Sequence, residues 1–374
     1  MPVAIISAYV RSPFTPAHKG ALAGVRPDTL AAEVVKALVQ RSGVAPADIE
    51  DLILGCAFPE GEQGLNLARL VVLLSELPQS IAGMTINRFC GSSMEAIHIA
   101  AGKIALGAGD VFIAAGVESM SRVPMGGFNP LPNPALYASL PAAYMSMGLT
   151  AEKVAQICHV SRESQEAFAL ASQQKAAIAD FSNEIIPITT KSGIIEKDGC
   201  LRPDTTMEAL AALPLAFLQH GTVTAGTSSA LTDGAAAVLV VSEDYADAHH
   251  LPKLARIKAT AVAGFDPEMM GLAPVLATRK ALSRAGLSAA DIDVVELNEA
   301  FAAQAIPCIS QLGFASENVN LHGGALALGH PLGASGARIT GKAAALLHGS
   351  GGRYALATQC IGGGQGIATI LERI

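Results

Sequence analysis

The chain has no tryptophan, and aromatic residues fill only 4% of its 374 positions. With 37 glycines and 51% hydrophobic residues, it suits close-packed Ala/Gly-rich helices better than an aromatic ligand cage. Basic residues are scattered and form no block, and the net charge is −7, which argues against general nucleic-acid binding. None of the six cysteines forms a C-x-x-C pair, which weakens zinc and thioredoxin-like readings and suggests free thiols in a reducing compartment. No apolar run is long enough to span a bilayer. The start shows no basic n-region with a cleavage site and no transit-like segment, and the end carries no known address. The expectation is a soluble cytoplasmic protein. No G-x-G-x-x-G follows any apparent strand, which disfavours a hydride-transfer enzyme.

What is present begins with length, enough for two or three domains with substantial cores. An internal repeat then sets the architecture. Gln40–Glu50 resembles Ser283–Asp293, with Asp48 and Asp291 standing 243 positions apart. Gly91-Ser92-Ser93 matches Gly333-Ala334-Ser335 at a spacing of 242. The first pair closes a helical run, turns at Gly and leads into the apolar strands 51–54 and 294–297. The second pair opens small-residue helices that lead to strands at 111–115 and 354–358. A nearly constant spacing across separate elements implies two α/β domains of one topology, packed about a pseudo-twofold with a site between them.

The segment between the copies is different. Residues 119–140 are rich in Pro, Gly, Asn and Met, which is loop chemistry. Helical stretches follow at 151–159 and 162–179, the second capped by Ser161. Residues 192–206 read as surface loop, and 221–234 as a small, hydroxyl-rich stretch. The run from 119 to 230 is expected to be an insertion that covers the site and contacts a ligand.

The chain is organised around Asn87-Arg88-Phe89-Cys90-Gly91-Ser92-Ser93-Met94. A proline-free, Ala-rich apolar run from Glu95 to Leu106 follows, expected to be a buried helix starting near Gly91. A thiol at a helix N-terminus meets unpaired N–H groups and the positive end of the dipole, which lowers its pKa. Read alone, Cys90 would be a small buried apolar residue. Three other stretches change that. Asn298-Glu299-Ala300-Phe301 follows a strand, Gly323–Arg338 holds Gly329-His330-Pro331, and Cys360-Ile361-Gly362-Gly363-Gly364 ends another strand. The repeat sets Leu332 opposite Cys90, so His330 stands close to the second copy's counterpart of the thiol.

These four stretches, in this order, resemble the thiolases, acetyl-CoA acyltransferases that make or cleave 3-oxoacyl-CoA. The resemblance covers essentially the whole chain. Met147–Glu152 and Thr224–Ser229 also resemble the family's pantetheine-contacting segments. The resemblance implies an α/β thiolase fold: two duplicated α/β domains in a layered αβαβα arrangement with an inserted loop domain. The expected division is 1–118 completed by 231–251, an inserted 119–230, and 252–374. It implies Cys90 as nucleophile, activated by His330, and Cys360 as the acid and base acting at the α carbon and the CoA thiol. One oxyanion site would use His330 and a water held by Asn298, the other the backbone N–H groups of Cys90 and Gly362. Asn298 could also cap the helix after its strand. Met147, Ala225, Ser229, Ala300 and Phe301 are expected to contact substrate.

The resemblance further implies CoA thioesters as ligands, with coenzyme A a substrate and no bound cofactor or metal. A homodimer or homotetramer is the expected assembly, with other β-oxidation enzymes as candidate partners. Cys56, Cys158, Cys200, Cys308 and His322 match no motif and are expected to be structural. Ser146 stands where acetoacetyl-CoA-selective members often have His, which points to a degradative 3-oxoacyl-CoA thiolase over a biosynthetic acetoacetyl-CoA thiolase. Thr227 stands where Asn is commoner and leaves that pantetheine contact open. A decarboxylating ketosynthase would lack a thiol like Cys360. A non-catalytic acyl-CoA or lipid carrier is the reading from another class, and intact motifs argue against it.

Overall fold

The computed structural model describes residues 2–374. Its main sheet runs Ala82–Ile86, Asp51–Gly55, Val111–Ser119, Thr232–Ser242, Ala4–Arg11, Ala255–Gly264, Gln365–Glu372, Tyr354–Ile361 and Val294–Leu297. With these nine strands numbered in chain order within each half, and the number 3 left vacant in the second, the first half reads 3-2-4-5-1 and the second mirrors it as 1-5-4-2. Where the second half would have its third strand, a single parallel bridge, Val295 to Val319, stands instead. Within the sheet, the described residues of the two halves join through two antiparallel pairs, Ile5 with Arg256 and Ile6 with Ala255. The expected duplication is therefore present, with one strand reduced in the second copy.

Side-chain alternation explains the layers. Leu52 and Leu54 point to an outer core with Leu30, Val34 and Leu38 of helix Pro27–Ser42, whereas Ile53 points inward to Met94 and Ile97. Strands covered on both faces need no polar side, so Val111–Ser119 is buried throughout. The inner layer consists of two helices, Ser92–Ala105 and Leu332–Ser350, which share one core with strands of both halves. Helix Ala273–Ala285 and helix Ala302–Leu312 cover the outer face of the second half. The order is α, β, α, β, α.

The two inner helices touch backbone to backbone. A Cβ on Gly336 would lie 2.3 Å from Met94 N, and the Ala337 N–H donates to Ser93 Oγ at 2.8 Å. Glycine is what brings the two helix starts this close.

Between Ser119 and Thr232 the chain leaves the sheet. Ser161 caps helix Arg162–Ile178, its Oγ accepting from Ser164 N at 3.1 Å. The preceding helix is Met147–Ile157, four residues earlier at its start than expected, and it ends before His159, which takes φ +53. Residues 192–206 are not all surface. The Asp198 side chain is only 4% exposed, because both its oxygens pair with the fully buried Arg11 at 2.7 Å. Arg11 also pairs with Glu184, and Glu184 with Lys342 of the inner helix, each at 2.7 Å. Cys200 follows into the interior.

Candidate active site

The nucleophile loop is held by its own side chains. Asn87 Oδ1 accepts from Phe89 N, and Ser92 Oγ accepts from Arg88 N, both at 2.8 Å. Phe89 takes φ +42, a strained value for a bulky residue. Cys90 then sits two residues before helix Ser92–Ala105, nearly buried, its carbonyl accepting from Gln359 Nε2. The N–H groups of Gly362 and of Cys90 itself face the sulfur and favour its thiolate. Burial outweighs them and pushes the thiol up to about 12. Burial thus works against the thiolate that the two N–H groups favour.

Gly362 begins the turn after strand Tyr354–Ile361, and positive φ at Gly363 and Gly364 sends the chain back into Gln365–Glu372. A Cβ on Gly362 would touch Phe89 at 3.5 Å and Met147 Sδ at 3.7 Å, so both side chains flank it. Cys360 is buried in a cluster with Met147, Ala300 and Phe301. Burial first, then the neighbouring Cys90, raises its thiol well above the ordinary value.

His330 follows Gly329, whose φ is +94. Its N–H donates to Thr232 Oγ1 at 3.0 Å. On the ring, Nε2 lies 3.3 Å from Asn298 Nδ2 and Nδ1 lies 2.5 Å from Ser335 Oγ. An amide nitrogen only donates, so Nε2 accepts and Nδ1 carries the proton. Burial, then Arg338, lowers the imidazole to about 3. The ring is therefore neutral, with its basic nitrogen beside Asn298. Among the described residues no hydrogen bond joins the Cys90 thiol to His330. Asn298 does not cap a helix: the next one starts at Ala302 with Phe301 as its N-cap. Asn298 Oδ1 is buried and has no hydrogen-bond partner among the described residues.

Met147, Ala300, Phe301 and Ser229 come together: Ser229 N donates to Ala300 O at 2.9 Å, and Ser228 bridges to Phe301. Ala225 stands apart, exposed on the turn Ala225–Thr227. Thr227 turns inward and accepts from Thr224 N at 3.0 Å, satisfying its own turn. The other cysteines lie off the catalytic loops, with Cys308 Sγ donating to Gly271 O at 3.2 Å. No cluster of three metal-ligating side chains occurs among the described residues.

Sequence reading missed Glu118, Thr232, Ser335 and Gln359. Glu118 carried a signal, an acid at the end of an otherwise apolar strand. Ser335 stood in the repeat but read only as a small residue.

The chain matches two family models, the thiolase N-terminal domain over residues 3–244 and the thiolase C-terminal domain over 251–373. It is 46% identical to the 3-ketoacyl-CoA thiolase of Bacillus subtilis (strain 168) over 389 aligned positions that cover all of both chains. It is 49% identical to the 3-ketoacyl-CoA thiolase of Marinomonas sp. (strain MWYL1), covering all of this chain and 98% of that one. The solved human mitochondrial 3-ketoacyl-CoA thiolase in complex with CoA superposes with a TM-score of 0.91 at 38% identity, over all of this chain and 98% of that chain. Duplicated halves, two buried thiols and a histidine–asparagine pair therefore stand in a chain that belongs to the thiolase family.

Proposed function

We propose that this chain is an acetyl-CoA C-acyltransferase that cleaves 3-oxoacyl-CoA with coenzyme A, reversibly, giving acetyl-CoA and an acyl-CoA two carbons shorter. This is the thiolytic step of fatty-acid β-oxidation. The observation that carries it is the pair of buried thiols from opposite halves, Cys90 with the Gly362 N–H at its sulfur and Cys360 beside the Met147–Phe301 cluster.

The chemistry runs as follows. Cys90 Sγ attacks the 3-keto carbon and its proton passes to His330 Nε2. With the thiol near 12 and the imidazole near 3, the proton rests on sulfur, so it moves only as the C–S bond forms. The Cys90 and Gly362 N–H groups stabilise the resulting oxyanion. The Cα–Cβ bond then breaks and its electrons go to the acetyl-CoA enolate. His330 and a water held by Asn298 stabilise the enolate oxygen, and Cys360 protonates its carbon. The Cys360 thiolate takes the proton of incoming CoA, whose sulfur displaces the Cys90 thiolate from the acyl group, and that thiolate recovers its proton from His330.

We further infer a division into 1–118 completed by 231–251, an inserted 119–230 that covers the CoA site, and 252–374. Departure from the sheet after Ser119 and return at Thr232 support it. A cytoplasmic homodimer or homotetramer fits best. Strand Ala82–Ile86 has an open edge, with Leu65, Leu73 and Leu74 exposed around it. Among the described residues no helix is long and apolar enough to cross a membrane.

The test is thiolysis across 3-oxoacyl-CoA chain lengths. With Ser in place of His at 146, kcat/KM for C8 or longer substrates should at least equal that for acetoacetyl-CoA. Activity confined to acetoacetyl-CoA would replace this assignment with a biosynthetic one.

A further inference from the structure

Glu118 is the one acid in the strand Val111–Ser119, fully buried, and among the described residues it makes no ion pair. Its carboxylate instead collects donors from both halves of the molecule. Oε2 accepts from Ala57 N at 2.8 Å and from Gly333 N at 2.9 Å. Oε1 accepts from Gln63 Nε2 at 2.8 Å, and from Phe58 N at 3.3 Å. The first-half partners support the nucleophile loop directly. Ala57 O accepts from Asn87 Nδ2 at 3.0 Å, and the Phe58 ring packs on Phe89, centroids 5.9 Å apart. The second-half partner, Gly333, lies three residues after His330 at the start of the inner helix. A Cβ there would stand 2.9 Å from Glu118 Oε2 and 2.7 Å from Val117 O, so only glycine lets the carboxylate reach that N–H. The other end of the His330 loop is held similarly, with Glu299 Oε2 accepting from Leu326 N at 3.2 Å.

We propose that Glu118 is a positioning residue, a buried clasp that fixes the Cys90 loop of one half against the His330 loop of the other. Among the described residues no hydrogen bond joins it to the Cys90 sulfur; the thiol that donates to it is Cys56, Sγ to Oε1 at 3.7 Å. One carboxylate oxygen shared between Ala57 and Gly333 sets the two loops in register, which neither half does alone. The inference rests on the thiolase activity proposed above.

Two variants of the full chain test it. Glu118→Gln keeps the length but removes the charge and turns an N–H₂ toward donors. Glu118→Asp keeps the charge but is one methylene short of spanning both loops. Both should lose kcat for thiolysis, by up to about 10²-fold for a displacement on the order of 1 Å, with KM for CoA and for 3-oxoacyl-CoA nearly unchanged. Alkylation of Cys90 by iodoacetamide separates position from charge. The Glu118 carboxylate adds to the rise of the Cys90 thiol, so Glu118→Gln should alkylate faster than wild type at one pH while turning over more slowly, and Glu118→Asp should not. Wild-type kcat in both variants overturns the clasp. So does a rise in KM with kcat kept, or a loss of activity that only follows loss of folded protein. A wild-type chain with no thiolysis overturns the proposed activity instead, and is read before either variant.

Discussion

The two halves repeat one topology and differ where the inner helices begin. In the first half a thiol, Cys90, stands two residues before helix Ser92–Ala105. In the second an imidazole, His330, stands two residues before helix Leu332–Ser350. The first half completes its third strand, Ala82–Ile86; the second makes only the bridge at Val319 and then spends the chain on Asn320, the glycines and His330. Asn320, at φ +48, pairs with Leu297 at both N–H and C=O and donates to Glu299 at 2.7 Å. Side-chain bonds thus replace a strand, and the freed length becomes the loop that carries His330. Duplication supplies two equivalent helix starts, and divergence puts a thiol at one and an imidazole at the other, which the proposed function uses as nucleophile and base.

The largest expected effect breaks the symmetry between the two thiols. Cys90→Ala should take up no acyl group from acetyl-CoA. Cys360→Ala should still acylate, though slowly, and lose most turnover, since acid–base groups contribute about 10²–10⁴-fold. Intact mass after incubation with acetyl-CoA, then peptide mapping, reads both. An adduct on Cys360, or wild-type acylation in Cys90→Ala, would reverse the roles. Two half-reactions also imply parallel double-reciprocal lines with both substrates varied.

Next in size is Asn298, among the described residues the only side chain hydrogen-bonded to His330 Nε2. Asn298→Ala should lower kcat by about 10²–10³-fold, the usual cost of one oxyanion-site donor, and leave KM for CoA in place. An unchanged kcat would reduce Asn298 to loop support.

Much of this was legible in the sequence, for identifiable reasons. Strand Val294–Leu297 fell where expected because a Gly turn and a strongly apolar run bound it. The placement of Cys90, His330 and Cys360 at element ends was legible because short loops between regular elements leave such residues few places to go. The Glu118 clasp was not, because its partners, Ala57 and Gly333, act through backbone N–H groups that any residue possesses. The neutral resting state of Cys90 was not, because a local motif predicts a dipole and says nothing of how much protein covers the sulfur. Asp198 was read as surface because its buried partner, Arg11, lies 187 residues away.

A smaller effect compares glycines in the two inner helices. Gly336 is buried against Met94, and a methyl there would force two backbones apart. Gly336→Ala should destabilise by about 1–3 kcal/mol or more. Gly102, in the matching first-half helix, has nothing within 4 Å of its Cβ position. Gly102→Ala should stabilise by about 0.4–1 kcal/mol, by restricting the unfolded chain and favouring helix. Urea midpoints measure both, and equal signs would show that the helices do not meet through Gly336.

The smallest effect is a change of slope. His98 lies on the first-half inner helix, its Nε2 2.8 Å from Thr369 Oγ1 of the second half, and burial lowers it to about 3. Arg88 and Arg284 act in the same direction, and Glu95 lies 3.8 Å from Nδ1. A histidine lowered in the folded state stabilises fully above its ordinary value near 6.5, and that stabilisation is lost as pH falls toward 3, because the unfolded chain takes the proton first. His330 acts with the same sign. Glu296, raised by burial to about 7, acts with the opposite one: its stabilisation is present below the ordinary carboxyl value and is lost as pH rises through 7. His98→Gln removes one proton from this balance and keeps a hydrogen-bonding partner for Thr369. Its stability should fall less than wild type between pH 6.5 and 5, by up to about 1.4 kcal/mol per pH unit for a single proton. Urea unfolding at both pH values gives the two slopes. Identical slopes would mean that His98 takes up its proton in the folded state as readily as in the unfolded chain, and that its contact with Thr369 yields to water.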